Sequence, residues 1–298
     1  MRLAEGKPCI GDDMRLAVLL LGALCAMSAA AFAANETQGC AAPDALGVSR
    51  TIEIDTTGGP WFGTPHGDPD FLAPGEVVLT FDDGPVPRTT RPILAALASQ
   101  CAKATFFMVG EMAKEYPDLV REVAEQGHTI GTHTWSHRDL RRLPEDKMKA
   151  QIETALNAVA TAAGAPIAPF FRYPYLSYGP ANVAYLQSRN IAQFAVDVDS
   201  FDWRTHSAQA IVRRIMAGLQ HVGRGIILLH DIHDSTAAAV PLLLAQLKDK
   251  GYRLVHLRAK AGAETLASYA PPDKVSVASS SLHRVRWHAR RLHRRPDW

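Results

Sequence analysis

From Glu76 onward, short apolar runs alternate with longer amphipathic stretches, and few folds accommodate that order. The runs at 77–81, 104–109, 129–133, 169–172, 192–198, 225–230 and 253–256 are rich in β-branched and aromatic residues. Strands buried on both faces read as continuous apolar runs of this length. Between them, 91–100, 111–126, 146–163, 181–189, 208–220 and 237–250 carry apolar residues three and four apart, the spacing of a helix with one buried face. Gly127, Gly164 and Gly251 follow three of these stretches, where helices end on a left-handed residue. Seven runs alternating with six helical stretches predict an α/β fold with a parallel sheet. A single barrel, complete or incomplete, suits a chain of 298 residues. In such barrels chemistry gathers at the C-terminal ends of the strands, so capable side chains are expected just past each run.

The flanks read differently. Residues 1–33 have the form of an export signal that starts at Met14. Met14-Arg15 precedes an apolar run over 16–27, and Ala31-Phe32-Ala33 is an A-x-A cleavage site. The run is shorter than the about 20 residues of a membrane span, which favours cleavage over anchoring. A periplasmic or extracellular location is expected. Export leaves Cys40 and Cys101, and an even pair in an oxidising compartment predicts a disulfide between them. Residues 34–74, rich in Gly, Pro, Asp and Thr, read as an ordered lead-in that contains Trp61-Phe62-Gly63-Thr64-Pro65-His66. Residues 75–260 form the expected catalytic domain, and 261–298 a linker and basic tail. That tail carries six Arg and one Asp from residue 283 on. Since the whole chain is only +2, the remainder lies near −3. Nothing in it resembles the broad basic face that nucleic acid requires. The tail reads as a solvated, disordered segment, or as a weak contact with an anionic cell envelope. A monomer is the expected state.

Five runs end in residues able to do chemistry. The first ends in Thr80-Phe81-Asp82-Asp83-Gly84-Pro85. Adjacent carboxylates repel, and a metal or cationic partner offsets the cost. The third ends in His133-Thr134-Trp135-Ser136-His137, two His at the four-residue spacing that chelates a metal from one helical turn. Thr134 stands where a zincin would carry its general base, so the Asp pair must supply both a base and a third ligand. Two His and one Asp leave an open coordination position, as a catalytic zinc site needs. The fourth ends in Arg172-Tyr173-Pro174-Tyr175, an Arg that needs a carboxylate partner and a Tyr175 amide that can point at a ligand oxygen. The fifth ends in Asp199-Ser200-Phe201-Asp202-Trp203, where an indole beside an acid suits a sugar face. The sixth ends in Ile227-Leu228-Leu229-His230, a desolvated His fit to be a general acid. Each motif alone admits a plain structural reading: a helix cap, a surface His, an ion pair, a core Trp. Five in order at five strand ends do not.

As a set these motifs resemble the NodB-homology polysaccharide deacetylases of carbohydrate esterase family 4. That family includes chitooligosaccharide, chitin, peptidoglycan and acetylxylan deacetylases. The resemblance runs from about residue 74 to 257, with Ile227 where the family commonly has Leu. It implies a distorted (β/α)7 barrel and a divalent metal, zinc first and cobalt or nickel as alternatives, held by Asp83, His133 and His137. It implies Asp82 as base, Arg172 as its orienting partner, and the Tyr175 amide as oxyanion donor. His230 becomes the acid with Asp202 tuning it, and Trp203 and Leu229 become apolar walls around the acetyl methyl. The implied substrate is an acetylated amino-sugar oligomer or polymer, which would yield acetate and free amine. An O-acetyl esterase on the same fold, an inactive glycan-binding protein and a wall protein tethered by the tail are the alternatives.

Overall fold

Every strand pairing among the described residues is parallel, as the alternation of runs and amphipathic stretches predicts. The computed structural model describes residues 44–68 and 71–269. The export signal, Cys40 and the basic tail lie outside the described residues. Among the described residues there are ten strands: β1 (Arg50–Ile54), β2 (Trp61–Phe62), β3 (Glu76–Asp82), β4 (Thr105–Met108), β5 (Thr129–Thr132), β6 (Phe170–Phe171), β7 (Ala192–Phe194), β8 (Val198–Asp199), β9 (Gly225–His230) and β10 (Arg253–Ala259). The helices are α1 (Pro87–Ser99), α2 (Gly110–Glu115), α3 (Pro117–Glu125), α4 (Glu145–Ala163), α5 (Pro180–Ser188), α6 (Ala208–Val222) and α7 (Asp234–Asp249).

The main path runs β8-β9-β3-β4-β5-β6-β7-β2, and β10 pairs β1 and the first residues of β3. The barrel is distorted because no ladder joins β7 to β8 among the described residues. The single strand expected over 192–198 breaks there. The cause is Asp197, whose carboxylate accepts the Ile226 N–H at 2.8 Å while its own N–H donates to the Ile226 carbonyl at 2.9 Å. One residue thus uses side chain and backbone where a ladder would use backbone alone. The helix expected over 111–126 also divides, between α2 and α3, because Pro117 lacks an N–H and pushes Tyr116 out of the helical region. The lead-in contributes more than cover: β1 pairs β10, and β2 pairs β7.

Alternation along the strands sorts the core. Val77, Leu79, Phe81, Ile227 and Leu229 pack outward against Ile93 and Leu97 of α1 and Val240 and Leu243 of α7. Val78, Phe107, Phe170, Phe194, Ile226, Val255 and Leu257 fill the interior. Burying such side chains contributes about 1.5–3 kcal/mol each. The same two-residue period leaves Thr80, Asp82, Leu228 and His230 on the inner face, with Asp82 and His230 directly paired in register. Among the described residues no helix is long and apolar enough to cross a membrane.

Candidate active site

The loops after β3, β5, β6, β8 and β9 converge on one cavity at the C-terminal end of the strands. Asp82, Asp83, His133, His137, Tyr175, Trp203 and His230 line it together. Backbone strain gathers at the same place. Asp83 (φ 79°), Thr134 (66°), His137 (53°), Tyr175 (59°), Leu176 (51°) and Phe201 (49°) all sit in the left-handed region. Each such residue costs about 1–3 kcal/mol and persists only where its surroundings over-determine it. The His133–His137 segment is therefore not the helical turn that the four-residue spacing predicts. It is a turn with two left-handed residues, and it brings the imidazoles together all the same, with ring centroids 4.9 Å apart.

Asp83 Oδ1 lies 3.5 Å from His133 Nε2 and 3.3 Å from His137 Nε2. The ligand atoms of the three residues are all within 4.8 Å of one another. Asp83 Oδ1 is buried yet accepts no hydrogen bond, an expense that a cation removes. The His133 Nδ1 lies 2.7 Å from the Arg172 carbonyl, which can only accept. The proton is thus on Nδ1, and the Nε2 lone pair faces the other two donors, the usual arrangement of a metal-ligating histidine. Burial, with His137 beside it, pushes His133 down to about 3, so it is neutral at physiological pH. Two imidazole nitrogens and one carboxylate oxygen fit a divalent metal.

Arg172 crosses the barrel interior with 0% of its surface exposed. One guanidinium nitrogen donates to Asp82 Oδ1 at 2.8 Å and to Thr80 Oγ1 at 2.7 Å. Two others reach the Phe194 and Ala195 carbonyls at 3.4 and 3.3 Å, and the Phe107 ring lies 4.4 Å from the charge. Arg172 therefore closes the open edge after β7 and fixes Asp82 with the same side chain. Burial pushes the Asp82 carboxyl up to about 6, although Arg172 opposes it.

On the neighbouring strand, beside Asp82, His230 Nδ1 is 2.7 Å from Asp202 Oδ1. The other Asp202 oxygen accepts the His230 N–H at 2.7 Å and the Thr236 hydroxyl at 2.6 Å. Burial lowers His230, but the Asp202 carboxylate outweighs it and the imidazole rises to about 10. Asp202 falls to about 2, its burial overcome by His230 and these hydrogen bonds. At neutral pH the pair is an imidazolium and a carboxylate, with Nε2 left to face the cavity.

Trp203 lies on the cavity wall as expected, with the Arg204 guanidinium 4.2 Å over its ring. Leu229 does not: it packs in the helix-facing core, and Leu228 takes the cavity position. Counting back by two from His230 identifies Leu228, a signal present in the sequence. Tyr173, Leu176, Asp199 and His233 line the cavity as well. Asp231, just past His230, also shapes the site. Its carboxylate accepts the Gly84 N–H at 2.9 Å and the Thr90 hydroxyl at 2.6 Å, pinning the turn after Asp83. A Cβ at Gly84 would collide with that carboxylate, so this turn needs glycine.

These features define a parallel barrel with a metal-type triad at its mouth, flanked by a buried carboxylate and a carboxylate-paired histidine. A protein-family model described as polysaccharide deacetylase matches residues 72–193. A chitooligosaccharide deacetylase of Sinorhizobium fredii is 32% identical over 189 residues, covering 59% of this chain and 87% of that protein. The chain belongs to the polysaccharide deacetylase family. The peptidoglycan-N-acetylglucosamine deacetylase PgdA of Listeria monocytogenes is 33% identical over 179 residues, which are 60% of this chain and 37% of that longer protein. Among solved structures, a peptidoglycan deacetylase of Bdellovibrio bacteriovorus superposes with a TM-score of 0.65 at 34% identity, covering 76% of this chain and 61% of that one.

Proposed function

We propose that this protein hydrolyses N-acetyl groups of an N-acetylglucosamine-containing glycan, giving acetate and a free amine. The observation that carries this reading is the placing of two differently tuned groups side by side, on adjacent strands, in one cavity. Asp82, held by Arg172 and ionised at neutral pH, is placed to take a proton from an attacking water. His230, held protonated by Asp202, is placed to give one to a departing amine. An amine is a poor leaving group until protonated, so the strongly raised His230 suits an amide more than an ester. Asp83, His133 and His137 would hold a divalent metal, zinc by preference and cobalt or nickel as alternatives, and when bound it would supply Lewis acidity toward the acetyl carbonyl. The Tyr175 backbone amide shares the developing oxyanion charge; one such donor is worth about 3 kcal/mol of barrier. Trp203 and Leu228 enclose the acetyl methyl.

Export is part of the reading, because relatives are named for peptidoglycan and chitooligosaccharide. The apolar run over 16–27 and Ala31-Phe32-Ala33 support it. The even pair of cysteines that export would leave, Cys40 and Cys101, supports a disulfide between them. Mass spectrometry of the non-reduced mature protein checks the bridge as a loss of two hydrogens. The activity is tested by measuring acetate and primary amine together on N-acetylglucosamine tetramer and on acetylated xylan. Equimolar acetate and amine from the tetramer are expected. Acetate from xylan alone would mark an O-acetyl esterase, and no product from either a glycan-binding protein.

A further inference from the structure

The three residues that would hold the metal stand on two turns, and the fold secures those turns unequally. The histidine turn is held from several sides by backbone groups. The Gly110 N–H donates to the Thr134 carbonyl at 3.0 Å, the Glu111 N–H to the Trp135 carbonyl at 2.9 Å, and the Trp135 N–H to the Gln151 carbonyl at 2.8 Å. The Gln151 side chain accepts the Ser136 N–H at 3.0 Å. The Asp83 turn has less. On its β4 side the Asp83 N–H reaches the Phe107 carbonyl at 3.3 Å, and the Val109 N–H donates to the Gly84 carbonyl at 3.1 Å. On its other side stands Asp231.

Asp231 is buried, and each of its polar atoms is engaged. Its N–H donates to the Asp82 carbonyl at 3.2 Å, and its carbonyl accepts the Thr89 hydroxyl at 2.5 Å. One carboxylate oxygen accepts the Gly84 N–H and the other the Thr90 hydroxyl. These four bonds join the end of β9 to the end of β3 and to the first turn of α1. They matter because of what Asp83 does. Its backbone sits at φ 79°, a conformation that needs support from its surroundings. Its Oδ1 is the buried oxygen that faces both imidazoles. Gly84 is the next residue, so the carboxylate that fixes the Gly84 N–H fixes the peptide that follows Asp83. Asp231 does not line the cavity. Its contact with the site is this turn.

We propose that Asp231 is a positioning residue for the metal: its carboxylate holds the Asp83 turn ready to ligate a divalent cation, and so sets how tightly the cation binds. This rests on the metal site of the proposed function and not on its substrate, so the test uses no glycan. Zinc is titrated into metal-stripped protein against a chromophoric chelator, and the melting temperature of each metal-free protein is measured beside it. Partners that orient a metal ligand are typically worth 10–100-fold in affinity, so Asp231→Ala should weaken zinc binding by about that factor. Asp231→Asn keeps an oxygen for the Gly84 N–H and should recover most of the loss. Glu153→Gln is the structural control. Glu153 is a buried carboxylate on α4, bonded to Tyr185 and Arg189 and away from the cavity. Its loss should lower the melting temperature and leave zinc affinity where it was. Zinc affinity in Asp231→Ala within about threefold of wild type would overturn the proposal, as would an equal loss in Glu153→Gln. Should Asp231→Ala fail to fold, Thr90→Val removes only the hydrogen bond to the second oxygen. It should weaken zinc binding several-fold, and unchanged affinity there would overturn the proposal too. Wild type that binds no zinc would remove the metal site and this role together, whereas failure to deacetylate a glycan would leave the measurement standing.

Discussion

Both ends of this barrel bury histidines, and the two ends treat them oppositely. At the mouth, His230 sits against Asp202 and rises to about 10. At the base, His128 and His256 are each only 7% exposed, and no carboxylate is among the described groups that shift them. Burial, with Lys103 adding to it, pushes His128 down to about 3; burial, with Arg258 and Lys103, pushes His256 down to about 4. His256 Nε2 meets the Thr129 hydroxyl at 2.9 Å, and His128 Nδ1 accepts the Ala104 N–H at 3.2 Å. The base thus uses histidine as a neutral, hydrogen-bonded core residue. The mouth uses it as a stored proton. What separates structure from chemistry is the partner supplied, not the burial.

The largest effect that sharpens this contrast is on turnover. His230→Ala and Asp82→Asn should each lower kcat by about 10²–10⁴-fold, the usual contribution of a positioned acid or base, whereas His256→Gln should change kcat little. Steady-state acetate release measures all three, and a comparable loss in His256→Gln would break the division between mouth and base. Next is Arg172→Met, which strips the buried Asp82 of its counter-charge and the Phe194 and Ala195 carbonyls of their donors. Unfolding in urea should show a loss of about 3–5 kcal/mol. Leu229→Ala should cost about 2–5 kcal/mol with KM nearly unchanged, and Leu228→Ala should raise KM at less cost in stability.

The pH dependence of stability is a smaller and more gradual effect. A histidine depressed in the fold binds its proton only after unfolding. His128 and His256 therefore disfavour the native state as pH falls below the unfolded value of about 6.5. Their combined cost grows toward pH 4 and is on the order of a few kcal/mol. His230 runs the other way: its contribution is full below about 6.5 and is lost as pH climbs toward 10. Thermal melts across this range should show His128→Gln flattening the acid limb and leaving the alkaline limb unaltered. A flattened alkaline limb would contradict the assignment of these groups.

Much of this molecule is legible in its sequence because the signals are local. Asp82, Asp83, His133, His137 and His230 each stand at the end of a strand run or within four residues of it, so naming the run points to the cavity residue. The Gly225–His230 strand is read with its true bounds. The misreadings come from non-local causes. The break between β7 and β8 depends on Asp197 meeting Ile226 and Thr64, and no spacing encodes that. Leu229 was the natural choice beside His230 only while the inward and outward faces of a fully apolar strand were left undistinguished. Asp231 acts through partners more than a hundred residues away, such as Gly84 and Thr90.

Acetate release from N-acetylglucosamine tetramer, followed through chelation and zinc add-back beside the Asp82→Asn variant, tests the metal-dependent deacetylation that the mouth is built for. The geometry predicts release that stops with chelator, returns with zinc, and stays near zero in Asp82→Asn under all conditions. Release that survives chelation, or that Asp82→Asn retains with zinc present, would contradict it.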